Sequence, residues 1–532
     1  MKKNTIPYKD TGYFSKTICD YLDSHKSIDP YFNNYPDFKG FKKQIELKRG
    51  SELVSTSHRK ILVKALEDQY KKLNTSNKTK QNIQSLLSEN SFTITTGHQL
   101  NLFTGPLYFL YKIIGTINLC KQLKKENPNR DFVPVYWMAT EDHDFDEINY
   151  FNFKGRKVRW KREGNGAVGR LSTEGMDAVL KVFAKELGTS KNADRLITLF
   201  KKAYVEHNNL TDATRYLVNE IFKEYGLVII DGDHKELKEQ FIPFVEDELC
   251  NQTSFKKVSE TVEELEKHYK IQVNPREINL FYLTDDLRER IVLEDGVYKV
   301  NNTNISWSQQ EILKHLYEMP ERFSPNVIMR PLYQEVILPN LCYIGGGGEL
   351  AYWLELKRYF ETVNVLFPIL LLRNSVLLIN EKQLEKAEKL NLSIDELFLE
   401  QHQLVNKKIK EVSTIEIDFS KQRTFLQEQF VSLRKIASLT DKSFIGAVKA
   451  QETKQLKGLD NLEKRLLKAE KRKHIDIAER IKLLQDELFP NQSLEERQGN
   501  FSEYYLEYGT TLIPKLMENL DPLQGAFSII QI

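Results

Sequence analysis

The chain has 532 residues, of which 40% are apolar and 29% are charged, a composition typical of a globular protein with several structural units. Its 77 basic and 75 acidic side chains leave a net charge of +2, so charge gives no reason to expect nucleic acid as a partner. No apolar run approaches the roughly 18 residues of a membrane helix, and the first residues lack the apolar stretch of a secretory signal, so we expect neither class.

The four cysteines, Cys19, Cys120, Cys250 and Cys342, lie far apart and match no metal-binding spacing. We therefore expect reduced thiols in a cytoplasmic protein and no dedicated metal site. Cys342 lies inside an apolar run, which predicts a core position rather than a nucleophile. No Ser-His-Asp or Cys-His pattern typical of nucleophilic catalysis is recognisable.

The first structural unit is predicted over residues 1–90, where apolar side chains recur at helical spacing, as a helical segment that packs on the core. A β-prone run at residues 92–95 follows, and a helical repeat occupies residues 107–123. Thr104, Gly105 and Pro106 would suit the start of this helix, because threonine caps helices and proline fits the first turn.

Five further apolar runs follow, and most of them end in polar or glycine-rich loops. They lie at residues 132–138, 227–230, 326–329, 341–344 and 368–372. Apolar runs that alternate with helices predict a Rossmann-like, doubly wound parallel sheet of the α/β class, with six strands in all. Ligands of such sheets bind beyond the carboxyl ends of the strands.

The uneven spacing of these runs predicts two insertions, at about residues 150–222 and 235–325, within a core that spans residues 91–378. Connections of that length are expected to have structure of their own. The second insertion contains Asp295-Gly296 between two alternating runs, which predicts a β-hairpin.

From residue 379 to residue 489 the composition shifts to Leu, Ile, Lys, Glu and Gln, with apolar residues at spacings of three and four. This pattern, which slips near Lys473, predicts an α-helical coiled coil; a long helix packed on its own domain is the alternative. Residues 490–532 are expected to return to the core.

The first polar cluster lies in the loop between the run at residues 92–95 and the next helix. Such a loop offers backbone N–H groups and a helix N-terminus to an anion. Lys112 shares a helix face with Tyr108 and is able to reach a phosphate or carboxylate. A well-capped loop without a ligand is the alternative. The candidate residues are Gly97, His98, Gln99, Asn101, Thr104, Gly105, Tyr108 and Lys112.

The second cluster is the segment from Glu141 to Glu147, in which six of seven residues are ionisable. Crowded carboxylates raise one another's pKa, and His143 titrates near neutral pH, so proton transfer or binding of an amine is plausible chemistry. A divalent metal site and a solvated cap are the alternatives.

The third cluster is Gly345 to Gly348 with Glu349, between a strand and a helix. Glycines let the backbone approach a ligand closely. A carboxylate repels phosphate, so Glu349 suits an ammonium group or a sugar hydroxyl better; a flexible turn is the alternative. Arg330 and Gln334 are further binders of anions and hydroxyls, although a lone arginine is more often part of a structural ion pair.

These clusters, in this order, resemble the motifs of the BshC family, the cysteine ligases of bacillithiol biosynthesis. Residues 96–112 are similar to its TG(Q/H)Q…LFTGPLY…K segment, and residues 141–149 to its EDHDFDEIN segment. Residues 330–334 and 345–353 resemble its RPLxQ and GGPGExAYW segments, the latter including Tyr352. The departures are Gly347, where proline is expected, and His98, where glutamine is frequent.

The resemblance implies a Rossmann-like core related to class I aminoacyl-tRNA synthetases and nucleotidylyltransferases, two connecting insertions and a coiled coil that pairs protomers. We accordingly expect a homodimer through about residues 420–488. The implied reaction adds L-cysteine to glucosaminyl-malate and gives bacillithiol. An amide made from two free components needs an activated carboxylate, so ATP, with Mg²⁺, is the expected co-substrate, although the chain lacks a clear HIGH or KMSKS pair.

The expected catalytic residues are His98, Asp142, His143 and Asp144, the last three binding the glucosamine amine and assisting its deprotonation. The loop at residues 97–105 and Lys112 would hold phosphate or the activated carboxyl group. The malyl carboxylates or sugar hydroxyls would be fixed by Arg330, Gln334, Glu349, Gly345 and Gly346. The alternatives are a nucleotidylyl- or glycosyl-transferase on the same core, or a non-catalytic coiled-coil scaffold that binds a metabolite.

Overall fold

The computed structural model describes residues 3–532, apart from the side chains of residues 3 and 54. The strands are β1 (Lys3–Ile6), β2 (Ser91–His98), β3 (Asp131–Met138), β4 (Tyr150–Phe153), β5 (Arg156–Arg159), β6 (Val228–Asp231), β7 (Leu280–Leu283), β8 (Arg288–Glu294), β9 (Val297–Val300), β10 (Ser306–Trp307), β11 (Phe323–Pro325), β12 (Asn340–Gly345), β13 (Ile369–Leu372), β14 (Val376–Ile379) and β15 (Phe527–Gln531).

The helices cover most of the remaining chain. They are α1 (Lys16–Leu22), α2 (Phe38–Arg49), α3 (Thr56–Tyr70), α4 (Asn77–Ser85), α5 (Tyr108–Glu126), α6 (Phe145–Ile148), α7 (Met176–Leu187), α8 (Lys191–Phe200), α9 (Leu210–Phe222), α10 (Lys235–Glu239), α11 (Ile242–Asn251), α12 (Thr253–Leu265), α13 (Gln309–Glu318), α14 (Met329–Ile337), α15 (Gly347–Leu354), α16 (Lys357–Thr362), α17 (Glu381–Lys389), α18 (Ile394–Leu397), α19 (Gln401–Val412), α20 (Ser420–Ala437), α21 (Lys442–Lys473), α22 (Ile475–Leu488), α23 (Glu495–Gln498), α24 (Phe501–Tyr508) and α25 (Leu512–Asn519).

A five-stranded parallel sheet forms the core, in the order β13-β12-β2-β3-β6. All eight residues of β2, the central strand, are buried. The chain builds the sheet outward from β2 through β3 to β6 and then returns to add β12 and β13 on the other side. This confirms the predicted Rossmann-like fold and puts the topological switch point between β2 and β12, where such sheets bind ligands.

One predicted strand was wrong, because residues 326–329 do not join the parallel sheet. Instead, β11 ends at Pro325 and pairs antiparallel with β7, and helix α14 begins at Met329. The Asn326 side chain accepts hydrogen bonds from the Ile328 and Met329 amides, at 2.9 and 3.3 Å, and so turns the chain into the helix. A short buried apolar run has the same pattern in a strand and in a buried helix, so periodicity alone could not separate them.

The predicted start of helix α5 was also wrong. The helix begins at Tyr108, and the Thr104 hydroxyl is buried without a hydrogen-bond partner, so it caps nothing. Phe103 and Thr104 adopt left-handed backbone angles, with φ of 50° and 69°. A tertiary contact explains the shape of this loop, because Asn500 donates hydrogen bonds to the carbonyls of Phe103 and Gly105, at 2.9 and 2.6 Å.

The long connections between core strands have structure of their own. Between β3 and β6 lie the hairpin β4–β5 and helices α7 to α9. Between β6 and β12 lie helices α10 to α13 and a five-stranded antiparallel sheet, in the order β10-β9-β8-β7-β11, which we call the insertion sheet. The predicted hairpin at Asp295-Gly296 is confirmed: it joins β8 to β9, and both turn residues have positive φ.

The C-terminal region is helical, with α20 and α21 packed on each other through a small cluster that includes Phe430, Ala437 and Val448. The break between α21 and α22 falls at His474, where the apolar spacing slips. The end of the chain pairs with its beginning in a three-stranded sheet, β1-β15-β14. The exact boundaries of the predicted units stay predictions. Among residues 3–532, no helix is both long and apolar enough to cross a membrane.

Candidate active site

A cavity of about 640 Å³ lies beyond the carboxyl ends of β2, β3 and β12, between the core sheet and the insertion sheet. This is the position that the switch point predicts for a ligand. The predicted site residues that line it are Gly97, His98, Gln99, Tyr108, Lys112, Glu141, Asp142, His143, Arg330, Glu349 and Tyr352. The predicted residues Asn101, Thr104, Gly105, Asp144, Gln334, Gly345 and Gly346 do not line it.

Lys112 and Glu349 form an ion pair in the cavity wall. The Lys112 Nζ lies 2.5 Å from Glu349 Oε1 and donates a 2.8 Å hydrogen bond to the Gly97 carbonyl. The Tyr343 hydroxyl donates to Glu349 Oε2 at 2.6 Å. Burial alone would raise the pKa of Glu349, but Lys112, with the hydrogen bonds from Tyr343 and the Gly346 amide, outweighs it and lowers the pKa. This carboxylate therefore stays charged and neutralises Lys112.

The glycines that precede Glu349 serve this arrangement. The Gly346 amide donates to Glu349 Oε1 at 3.0 Å, so the carboxylate occupies the N-terminus of α15. A Cβ on Gly345 would lie 2.9 Å from the Tyr343 ring, so this position needs a glycine. The helix N-terminus thus holds a protein carboxylate, whose negative charge opposes binding of a phosphate at the same place.

His98 lies at the end of β2 and is buried, between the rings of Tyr108 and Phe109. Burial, with the nearby charge of Lys112, lowers the pKa of His98 to about 3, so the ring is neutral near neutral pH. Its Nε2 atom has no hydrogen-bond partner within residues 3–532. A buried polar atom without a partner at a cavity wall is suited to a ligand's hydrogen bond.

Asp142 follows β3 and is fixed by three neighbours. Its Oδ2 accepts a 2.8 Å hydrogen bond from the Gln99 side chain, and its Oδ1 accepts one of 2.7 Å from the His143 amide. The Asp144 amide lies 3.5 Å from the same oxygen, while the Asp144 side chain is exposed outside the cavity. Asp142 forms no ion pair with a lysine or arginine in the described part of the chain, so it presents a negative charge to the cavity.

His143 is held by Arg288 of the insertion sheet. The Arg288 guanidinium lies 2.6 Å from His143 Nδ1 and packs 4.0 Å over the Phe281 ring. Because arginine only donates, Nδ1 must accept, and the proton of the neutral ring is on Nε2. Burial and the charge of Arg288 lower the pKa of His143. In this arrangement His143 acts as a hydrogen-bond donor through Nε2.

The remaining predicted side chains of the cavity wall already have protein partners. Glu141 pairs with the buried Lys238, which also donates to the Phe323 carbonyl at 2.8 Å. Arg330 donates to Gln334 at 3.1 Å and to the Tyr352 hydroxyl at 3.4 Å. Gln334 is fully buried behind the wall and also donates to Glu335.

The loop residues outside the cavity hold the fold together. Asn101 donates to the Glu147 carbonyl at 3.2 Å, and Gly105 has a φ of 62° with no space for a Cβ, which would lie 2.5 Å from that of Asn101. Phe103 packs among Phe151, Phe183, Phe200 and Phe501, from the first insertion and the C-terminal segment. Ligand binding by Asn101, Thr104 and Gly105 stays a prediction.

The sequence reasoning missed the arginines of the second insertion. Arg276, Arg288 and Arg290 all line the cavity. The alternation of strand β8 places Arg288 and Arg290 on one face, which the sequence could have shown. It could not show that this face turns toward the core. No three or more His, Cys, Asp or Glu side chains in residues 3–532 come together as a possible metal site.

The cavity therefore combines one open carboxylate, Asp142, with an excess of arginines. The charges of Glu141 and Glu349 are compensated by lysines. Such a cavity suits a molecule that carries both an amine and negative charges.

Comparisons with known proteins agree over the whole chain. A family model described as "Bacillithiol biosynthesis BshC, N-terminal Rossmann-like domain" matches residues 1–374, and its companion, the "C-terminal coiled-coil domain", matches residues 376–532. A solved structure described as a "putative arginyl t-RNA synthetase" from Campylobacter jejuni covers 84% of this chain and 99% of its own, at 11% identity and a TM-score of 0.21, which supports no inference.

Three relatives carry the name "Putative cysteine ligase BshC". The protein from Christiangramia forsetii is 58% identical over 535 residues, covering 100% of this chain and 99% of its own. The protein from Flavobacterium johnsoniae is 58% identical over 532 residues and covers 100% of both chains. The protein from Cytophaga hutchinsonii is 41% identical over 522 residues, with coverage of 97% and 96%.

Proposed function

The chain belongs to the BshC family, and from this premise we propose that it is a ligase that joins L-cysteine to the amine of glucosaminyl-malate. The observation that carries the proposal is the charge pattern of the cavity, with Asp142 on the core side and arginines on the insertion side. Glucosaminyl-malate carries one amine and two carboxylates, so it complements both sides.

In this proposal, the chain's own residues orient the amine and take part in its deprotonation. Asp142 binds the ammonium group as its counter-ion, and Gln99 holds the carboxylate in place. The amide bond forms when the neutral amine attacks the carbon of the ATP-activated cysteine carboxyl group. The bond from that carbon to the phosphate oxygen of the activating group then breaks, that oxygen leaves with the electron pair, and the amine proton leaves toward Asp142. His143 would donate from Nε2–H to the carboxyl oxygen, which is supported by the Arg288 contact at Nδ1, and His98 Nε2 would accept from a substrate N–H or O–H.

ATP, with Mg²⁺, is the proposed co-substrate, and it supplies the activation of the cysteine carboxyl group. The cavity has cations that fit its phosphates, since Arg288 and Arg330 both line the wall without a carboxylate partner. Lys112 is less suited to bind phosphate, because Glu349 neutralises its charge. The N-terminus of α15 is also less suited, because the Glu349 carboxylate already binds there.

A reconstituted reaction tests the proposed activity. The purified protein is mixed with glucosaminyl-malate, L-cysteine and Mg-ATP, with each component omitted in turn, and the products are followed by mass spectrometry. We expect bacillithiol only when all three are present, with ADP or AMP identifying the activated species. Formation of no thiol product by the folded protein would argue against the activity.

We further propose a cytoplasmic homodimer through about residues 420–488. The four cysteines form no disulfides, as expected in a reducing compartment. Several apolar side chains of this region are exposed, among them Phe425, Ile436, Leu439 and Leu462. A second copy would cover them. Light scattering at micromolar concentration should give twice the chain mass of 62.3 kDa, whereas a monomer would remove this proposal.

A further inference from the structure

Two arginines of the second insertion, Arg276 and Arg290, line the cavity without a protein partner. Within residues 3–532, neither side chain makes an ion pair or a hydrogen bond, whereas the neighbouring Arg288 contacts His143, Ser324 and Pro325. Unpaired guanidinium groups at a cavity wall leave their donors available to a ligand.

The backbone that carries Arg290 is part of a regular sheet. Arg290 stands two residues after Arg288 in β8, so both side chains point to the same face of the strand, the one toward the cavity. In the adjoining strand, Phe281 pairs with Arg290. The sheet thus sets the direction of the Arg290 side chain, whose guanidinium makes no hydrogen bond or ion pair among the described residues.

The backbone that carries Arg276 is fixed by a buried asparagine. The Arg276 amide donates to Asn279 Oδ1 at 3.1 Å, and Asn279 Nδ2 donates back to the Arg276 carbonyl at 2.8 Å. The backbone amide of Asn279 in turn donates a 2.8 Å hydrogen bond to Glu248 Oε1. Asn279 and Glu248 are fully buried, although the Arg276 side chain is exposed. An exposed arginine on so well-anchored a loop is positioned at the rim of the cavity.

Arg276 and Arg290 also share a second, smaller space. Both border an adjoining recess of about 280 Å³, together with Ile278 and Val292. Both arginines therefore border the same end of the cavity, where the two carboxylates of one ligand can meet them.

We propose that Arg276 and Arg290 form a clamp for a dicarboxylate, the malyl end of the acceptor substrate, and that they determine its specificity. This inference rests on the proposed function. Guanidinium groups pair with carboxylates in a planar, bidentate geometry, and two carboxylates call for two such groups. The clamp sets the orientation of the substrate, because its amine must then reach Asp142. Arg330, the sequence-based candidate, already binds Gln334 and Tyr352.

The test compares two ligands on three variants, Arg276→Gln, Arg290→Gln and the double variant. Calorimetry measures binding of glucosaminyl-malate and of glucosaminyl-lactate, which lacks one carboxylate. We expect each single variant to bind glucosaminyl-malate about tenfold more weakly, since each loses a charge-assisted pair. Glucosaminyl-lactate should lose affinity in one of the single variants only. Arg156→Gln, which removes an exposed arginine away from the cavity, should bind both ligands as the wild type does.

Binding and turnover separate this inference from the proposed function. If glucosaminyl-malate binds and the double variant loses it, the clamp stands even when no bacillithiol forms. If bacillithiol forms and the double variant keeps the wild-type KM for glucosaminyl-malate, the clamp is wrong while the ligase activity stands. Equal losses of affinity for the two ligands in every variant would also overturn the clamp, because the arginines would then not distinguish a ligand with two carboxylates from a ligand with one.

Discussion

Most charges on the core wall of the cavity have an ion-pair partner, whereas the arginines of the insertion wall have none among the described residues. On the core side, Lys112 and Glu349 neutralise each other, and Glu141 pairs with Lys238, which helix α10 of the second insertion supplies. On the insertion side, Arg276 and Arg290 have no partner among the described residues. The core wall thus has most of its charges paired without a ligand, while the arginines of the insertion wall would be paired by a bound ligand. This division assigns rigidity to the Rossmann-like sheet and substrate selection to the second insertion.

The largest expected effect concerns the ion pair of Lys112 and Glu349 in the core wall. Replacing Lys112 by methionine keeps the unbranched shape of the side chain as far as Cε and removes the charged Nζ, which leaves Glu349 half-buried without its cation. We expect a loss of about 3 kcal/mol in the free energy of unfolding, measured by urea denaturation. Lys386→Met is the matched control: its partner Glu487 is exposed, and it should lose less than about 1 kcal/mol. Equal losses would mean that the wall is not a preorganised unit.

The next effect concerns the one open carboxylate of the core wall. Asp142→Asn keeps the shape of the side chain and removes the counter-ion of the substrate amine. We expect kcat/KM to fall about 100-fold, because both ammonium binding and proton removal depend on the charge. Asp144→Asn, next to it in the sequence but outside the cavity, should keep most of the activity. Similar losses in both variants would show a general need for negative charge rather than a site at Asp142.

A smaller effect tests the contact between the two walls. Burial and then the positive charge of Arg288 lower the pKa of His143, so Arg288→Gln should move that pKa upward, toward its ordinary value near 6.5. The protonated ring would then persist to higher pH in the variant than in the wild type. An NMR titration of the His143 ring protons measures this, with His315 as an internal reference that should not shift. An unchanged His143 would mean that Arg288 does not contact it in solution.

The sequence predicted the parts of the molecule in which local pattern and fold agree. The runs at β2, β3, β12 and β13 are buried on the core sheet, and the loops after β2, β3 and β12 end at one cavity, as the rule for parallel sheets requires. The pattern slip at Lys473 also marked the break between two helices.

What the sequence could not predict depends on contacts between distant segments. The loop that holds Thr104 takes its shape from hydrogen bonds to Asn500, about four hundred residues away. The capping propensity of threonine therefore gave a wrong prediction for the start of α5. Arg276 and Arg290 become site residues only because the insertion sheet folds over the switch point. Sequence spacing contains neither fact, since both follow from tertiary packing.

A crystal structure with glucosaminyl-malate bound tests the account most directly. We predict the amine within hydrogen-bonding distance of Asp142 and the two malyl carboxylates against Arg276 and Arg290, on the insertion side of the cavity. A ligand bound in the opposite orientation would have its carboxylates at Lys112 and its amine near the insertion sheet. That result would contradict the division of the cavity into a core wall with paired charges and an insertion wall with unpaired arginines.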